Sequence, residues 1–168
     1  SYFGTFVIVD SAGNLVKAET EFNEASTYHI SATTLTNGNV LIAYKDNDDT
    51  FGKFIIYDSA GNLVKAETLF NEATTTYIST TTLTNGNVLI AYKDGGDSDK
   101  GKFIIYDSAG NLVKAETEFN ESSTSYTSAT TLTNGNVLIA YRDVGNSSYG
   151  TFIIYDSAGN LVKAETEF

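Results

Sequence analysis

Aspartates gather at three corresponding places in this chain. Asp46, Asp48 and Asp49 stand together, then Asp94, Asp97 and Asp99, then Asp143 with Asn146. Clustered oxygens are what a hard cation such as Ca²⁺ needs, but calcium loops hold their ligands at fixed positions. Here the spacing shifts between copies and the third has lost most of its carboxylates. The clusters therefore read as solvated acidic loops, with no metal or cofactor expected. His29 is the only histidine and there is no Cys, so neither a zinc site nor a catalytic triad can be assembled around it. Glu67, Glu116 and their counterparts alternate with Lys. Paired carboxylates can hydrolyse glycosides, yet these recur on one strand of every copy and read as protection of a sheet edge. Asp94-Gly95-Gly96-Asp97 lacks the Lys and the following helix of a phosphate loop. The chain is read as non-enzymatic.

The remaining candidates bind rather than react. Tyr28, Tyr77 and Tyr126 recur beside polar loops, where a sugar ring could stack; packing between structural units is the competing use of such a Tyr. With Asp46, Asp94 and Asp143 they form the candidate ligand-binding set, and a glycan is the expected ligand.

What must position these residues is a repeat. The phrase beginning at Gly4 restarts at Gly52, Gly101 and Gly150, at spacings of 48, 49 and 49 residues, and the last copy stops halfway, at Phe168. The chain divides into a half repeat (1–24) and three repeats (25–72, 73–121 and 122–168) within one continuous repeat domain. Each full repeat reads as four strands. In the second, Thr76–Leu83 (strand A) is rich in β-branched residues. Asn85-Gly86 then predicts a type I′ hairpin turn. Val88–Asp94 (B) and Lys102–Asp107 (C) are apolar on both faces, as in strands covered from both sides. Asp107-Ser108-Ala109-Gly110 predicts a type I turn closed by a glycine bulge. On Leu112–Phe119 (D), Lys114, Glu116 and Glu118 are expected on one face, with Val113, Ala115 and Phe119 on the other. The A–B and C–D turns are constant. The D–A links and B–C loops vary, and up-and-down topology puts them at one shared end, where binding residues usually sit.

The stretch NGNVLIAYKD…GKFIIYDSAGNLV resembles the B-C-D part of blades in WD40, NHL and lectin-type β-propellers. The resemblance covers the whole chain but is architectural: there is no Trp-Asp dipeptide, no Ser-x-Asp-x-Gly-x-Thr-Trp box and no D-x-D-x-D-G calcium loop. It implies an all-β array of four-stranded antiparallel blades, with small-residue A strands innermost and D strands outermost. A β-solenoid or stacked sandwiches are the alternatives, and a repeat near 49 residues fits a blade better. Counting from Ser1 gives fourteen strands, with four C–D hairpins but only three A–B hairpins. No number of copies of such a chain makes a ring of uniform blades. Assembly into a homo-oligomer or filament through the unpaired blade ends, or a longer array, is expected.

Composition narrows the partners. A net charge of −11 and a pI near 4.3 argue against nucleic acid and anionic membranes, and no apolar run is long enough to span a bilayer. The chain starts without Met and reads as processed or as an excerpt of something longer. A secreted or cell-surface location is expected, with multivalent glycan recognition as the leading function. A structural role, as a fibre or symmetric scaffold without a small ligand, is the rival.

Overall fold

The computed structural model describes residues 2–168, which form twelve strands and no helix. In order these are β1 (Phe3–Val9), β2 (Leu15–Thr34), β3 (Val40–Asp46), β4 (Gly52–Tyr57), β5 (Leu63–Asn71), β6 (Thr75–Thr82), β7 (Val88–Asp94), β8 (Lys100–Tyr106), β9 (Leu112–Thr131), β10 (Val137–Asp143), β11 (Tyr149–Tyr155) and β12 (Leu161–Glu167). Consecutive strands pair antiparallel, except that β5 and β6 do not pair. The result is a five-stranded sheet β1 to β5 and a seven-stranded sheet β6 to β12, neither closed on itself.

Twelve strands rather than fourteen result because two D–A links stay extended. The first part of β2 pairs with β1, up to Ser26, and Thr27–Thr34 pairs with β3. Likewise β9 pairs with β8 up to Ser123 and with β10 from Thr124. One twenty-residue strand thus serves as strand D of one repeat and strand A of the next. Between β5 and β6 the equivalent link is broken at residues 72–74.

Both hairpin turns use the same geometry. In the C–D turn, Gly13 N donates to Asp10 O at 3.0 Å and Asp10 N to Asn14 O at 2.9 Å. In the A–B turn, Gly38 N donates to Leu35 O at 2.9 Å and Leu35 N to Asn39 O at 2.7 Å. Only the glycine has positive φ, 84° at Gly38, while Asn37 does not. The A–B turn is therefore a type I turn with a glycine bulge, not the expected type I′, which would need positive φ at both central residues. The turn ends of adjacent repeats are tied alike: Asn37 Nδ2 donates to Ser108 O at 3.4 Å and Asn85 Nδ2 to Ser157 O at 2.8 Å. The constant turns do share one end.

The repeats pack through an interface used three times. Phe6 meets Tyr57, Phe54 meets Tyr106 and Phe103 meets Tyr155, each with ring centroids 4.7 Å apart. Phe22–Tyr44, Phe70–Tyr92 and Phe119–Tyr141 follow at 5.0–5.1 Å. Offset and edge contacts of this kind are favoured by the ring quadrupole. Along strand A, hydroxyls join repeats instead: Ser31 Oγ lies 3.0 Å from Thr80 Oγ1, and Thr81 Oγ1 lies 3.1 Å from Thr131 Oγ1. Small hydroxyl side chains let these strands approach closely while the paired hydroxyls satisfy one another.

Strand D departs from simple alternation. Phe103 pairs with Thr117 but Ile105 with Lys114, so Ala115 and Glu116 share one opposing residue, and every copy has this bulge. A bulge re-aims side chains. Glu116 turns towards Tyr92 Oη at 2.6 Å, while Val113 and Ala115, expected on one face with Phe119, are exposed where Phe119 is buried.

Candidate functional site

The A strands carry a second bulge, at the end of the repeats where D–A links meet B–C loops. Tyr28 pairs with Lys45 but Ser31 with Ala43, so His29 and Ile30 together oppose Tyr44. Tyr77 and Ile78 in the second repeat, and Tyr126 and Thr127 in the third, occupy the same bulge. Its first residue is left-handed each time: φ is 52° at His29, 53° at Tyr77 and 55° at Tyr126. Glycine fills such a position without steric penalty, whereas an L-residue there costs about 1–2 kcal/mol. Three repeats bear that cost with an aromatic ring.

The bulges bring these rings into a row. His29 and Tyr77 have centroids 5.5 Å apart, and Tyr77 and Tyr126 5.2 Å. Tyr77 is half-buried at the centre, and Tyr126 is 65 % exposed at one end. Cations run alongside: Lys93 Nζ sits 5.9 Å from the Tyr77 ring centroid, within cation–π range, Lys45 occupies the equivalent place in the first repeat, and Arg142 pairs with Ser125 in the third. Lys93 is also held by Asp99 at 2.8 Å. Partial burial lowers the His29 pKa below its ordinary value, and the charges of Lys45 and Lys93 lower it further. The imidazole is therefore neutral at pH 7.

Of the sequence candidates, Tyr77 and Tyr126 lie in this row and Tyr28 does not. Tyr28 precedes the bulge, where Thr76 and Ser125 are its counterparts. The ring that completes the row is His29, which the sequence excluded only from a zinc site or a catalytic triad. Offsets of 48 and 49 residues align His29 with Tyr77 and Tyr126, and that arithmetic was the available signal.

Asp46, Asp94 and Asp143 are equivalent to one another but lie apart from the row. They are buried, 4–7 % exposed, and not the solvated loop residues expected. Asp94 Oδ1 accepts from Gly96 N at 2.9 Å and Asn71 Nδ2 at 3.2 Å, and its Oδ2 accepts from Lys102 Nζ at 2.8 Å. Asp46 does the same with Lys53 at 2.6 Å. Burial alone would lower the two lysine pKa values, but the carboxylates around each, Asp94, Glu116 and Asp97 for Lys102, more than offset it and hold them above the ordinary range. Glu67 and Glu116, expected to guard a sheet edge, are members of these clusters. The sequence reading missed them because a lysine on strand C and a glutamate on strand D meet only once the strand D bulge has formed.

Comparison with known proteins agrees with this architecture. Residues 36–106, less than half of the chain, match the family model of the secretion system C-terminal sorting domain. No curated protein matches the chain. Among solved structures, an exo-β-1,3-galactanase from Phanerochaete chrysosporium with β-1,3-galactotriose superposes with a TM-score of 0.63 at 10 % identity, over 99 % of this chain and 44 % of its own. An α-L-arabinofuranosidase from Clostridium thermocellum gives 0.54 at 12 %, over 91 % and 58 %. An ulvan lyase, a polysaccharide lyase, gives 0.57 at 11 %, over 88 % and 40 %. The chain thus spans less than two thirds of each neighbour, and at such identities the likeness establishes fold alone.

The fold is all-β, antiparallel and propeller-like, of a kind shared with carbohydrate-active proteins. The protein is a secreted one, acting at the cell surface or outside the cell.

Proposed function

We propose that this chain is a non-enzymatic, multivalent carbohydrate-binding module that receives a glycan along the row His29, Tyr77 and Tyr126. The observation behind this reading is the left-handed aromatic at the same bulge of three successive repeats. Residues held in costly backbone conformations cluster at functional sites. Sugars present C–H faces to such rings, and repeated weak contacts along one polymer raise avidity by about 10²–10⁴. Lys45 and Arg142 beside the row favour a glycan carrying carboxylate or sulfate groups. The solved neighbours that act on polysaccharides support the ligand class by analogy. The non-enzymatic part of the proposal rests on how the acids are used: Asp46, Asp94, Glu67 and Glu116 hold lysines within the fold.

The test is affinity electrophoresis through gels containing neutral and acidic polysaccharides. Retardation by at least one polysaccharide, lost in Tyr77→Ala/Tyr126→Ala and kept in Tyr28→Ala, is the expected result. Equal mobility of wild type and the double variant in every gel would sink the proposal.

A further inference from the structure

Thr151 occupies, in the third repeat, the place that Lys53 and Lys102 fill in the first two. All three pair with the buried strand B tyrosine: Lys53 with Tyr44, Lys102 with Tyr92 and Thr151 with Tyr141. In the second repeat the Lys102 ammonium has three carboxylate partners, Asp94 Oδ2 at 2.8 Å, Asp97 Oδ2 at 2.9 Å and Glu116 Oε1 at 2.7 Å. The third repeat keeps two of those acids, as Asp143 and Glu165, and carries Asn146 for the third.

What remains is a prepared acceptor set without its cation. Asp143 is 7 % exposed. Its Oδ1 is fixed by Gly145 N at 3.0 Å, Asn146 N at 3.3 Å and Asn120 Nδ2 at 3.3 Å. Its Oδ2, which in the earlier repeats accepts the lysine, has no protein partner among the described residues. Tyr141 Oη donates to one oxygen of Glu165 as Tyr92 does to Glu116, leaving the oxygen that would face the ammonium. The Thr151 hydroxyl is buried, 3 % exposed, without a hydrogen-bond partner. Asp143 and Glu165 line a cleft of about 600 Å³, together with Glu118, Ile153, Tyr155 and Ala164. At its rim Lys100 neutralises Glu118 at 3.0 Å. Burial, then the Glu165 charge, pushes the Tyr155 hydroxyl up to about 12, so that wall stays neutral. A carboxylate as buried as Asp143 without its cation and a buried Thr151 hydroxyl without a partner are costly to keep, and a primary ammonium, with three donors, meets what both lack, with the exposed Glu165 carboxylate as a third acceptor.

We propose that this cleft binds the primary ammonium group of a small ligand, at the position its sister repeats fill with a lysine side chain. The site is separate from the aromatic row and does not depend on the glycan reading. Its Ile153, Tyr155 and Ala164 wall admits a short carbon skeleton behind the charge.

The experiment is an amide NMR titration of the whole chain with n-butylammonium chloride and with glucosamine, against sodium chloride at equal ionic strength. Saturable shifts at Gly145, Asn146 and Thr151 with either amine, absent with sodium, are expected. The tighter of the two probes tells an amino sugar from a plain alkylamine. Thr151→Lys supplies the missing cation and should abolish the titration, while Asp143→Asn should weaken it by about ten-fold or more. Lys102→Thr should open a second saturable site. A wild type that shows no saturable shift, responds equally to sodium, or titrates unchanged after Thr151→Lys overturns the proposal.

Discussion

The Lys102 ammonium and the Asp94 carboxylate lie 2.8 Å apart with side chains only 8 % and 6 % exposed, forming a buried ion pair between strands B and C. Removing one member strands the other charge away from water, which costs about 3–5 kcal/mol. Lys102→Met should lower the unfolding free energy read from urea denaturation by an amount in that range, whereas Lys100→Met, at a rim pair with Glu118, should leave it unchanged within error. Equal shifts for the two variants would show that burial does not govern these pairs.

Stability and binding should separate at Tyr126. Its ring is mostly exposed and its φ of 55° suits glycine. Tyr126→Gly is expected to leave the fold as stable as wild type, or up to about 1 kcal/mol more so, by relieving the left-handed strain, while polysaccharide retardation falls. Urea denaturation and affinity electrophoresis on one preparation check both halves.

Gly52 sits under Phe70, where an added Cβ would stand 2.6 Å from the ring. The repeats cannot part to admit it, because Phe70 also packs on Tyr92 at 5.1 Å. Gly52→Ala should therefore destabilise by about 1–3 kcal/mol, the usual cost of overpacking. A midpoint equal to wild type would mean that the interface between the first two repeats is looser than this packing.

His29 gives a single imidazole signal, since it is the only histidine. Its folded pKa lies below 6.5 because burial, then Lys45 and Lys93, disfavour the cation. The folded state then binds fewer protons than the unfolded one. Its contribution to stability is complete above pH 6.5 and is lost as pH falls through the folded value. An NMR titration with midpoint below 6.5 in wild type, rising in Lys45→Met/Lys93→Met, is the expected result.

The repeat, its strand types and both turn positions were legible in the sequence because they are local. A β-branched run, a two-sided apolar run and Asp-Ser-Ala-Gly act on their own few residues. The turns show the limit of local reading. Asn85-Gly86 marked a hairpin correctly, but its type followed from a three-residue loop that the pairing of Leu83 with Asn87 imposes. Asp46, Asp94 and Asp143 were found as a recurring set and assigned to solvent, because their partners lie on the next strand and their burial depends on the neighbouring repeat.

The sequence by itself determined an all-β array of near-identical units, an acidic chain and the two ends at which the copies agree or vary. Tertiary structure alone decided which residues meet. Bulges, which no alternation pattern announces, set the ring row at His29, Tyr77 and Tyr126 and turned Glu116 towards Lys102. Pairing of strands B, C and D within one repeat, which sets Thr151 opposite Tyr141 beside Asp143 and Glu165, decided that one threonine in place of a lysine leaves Asp143 without its cation.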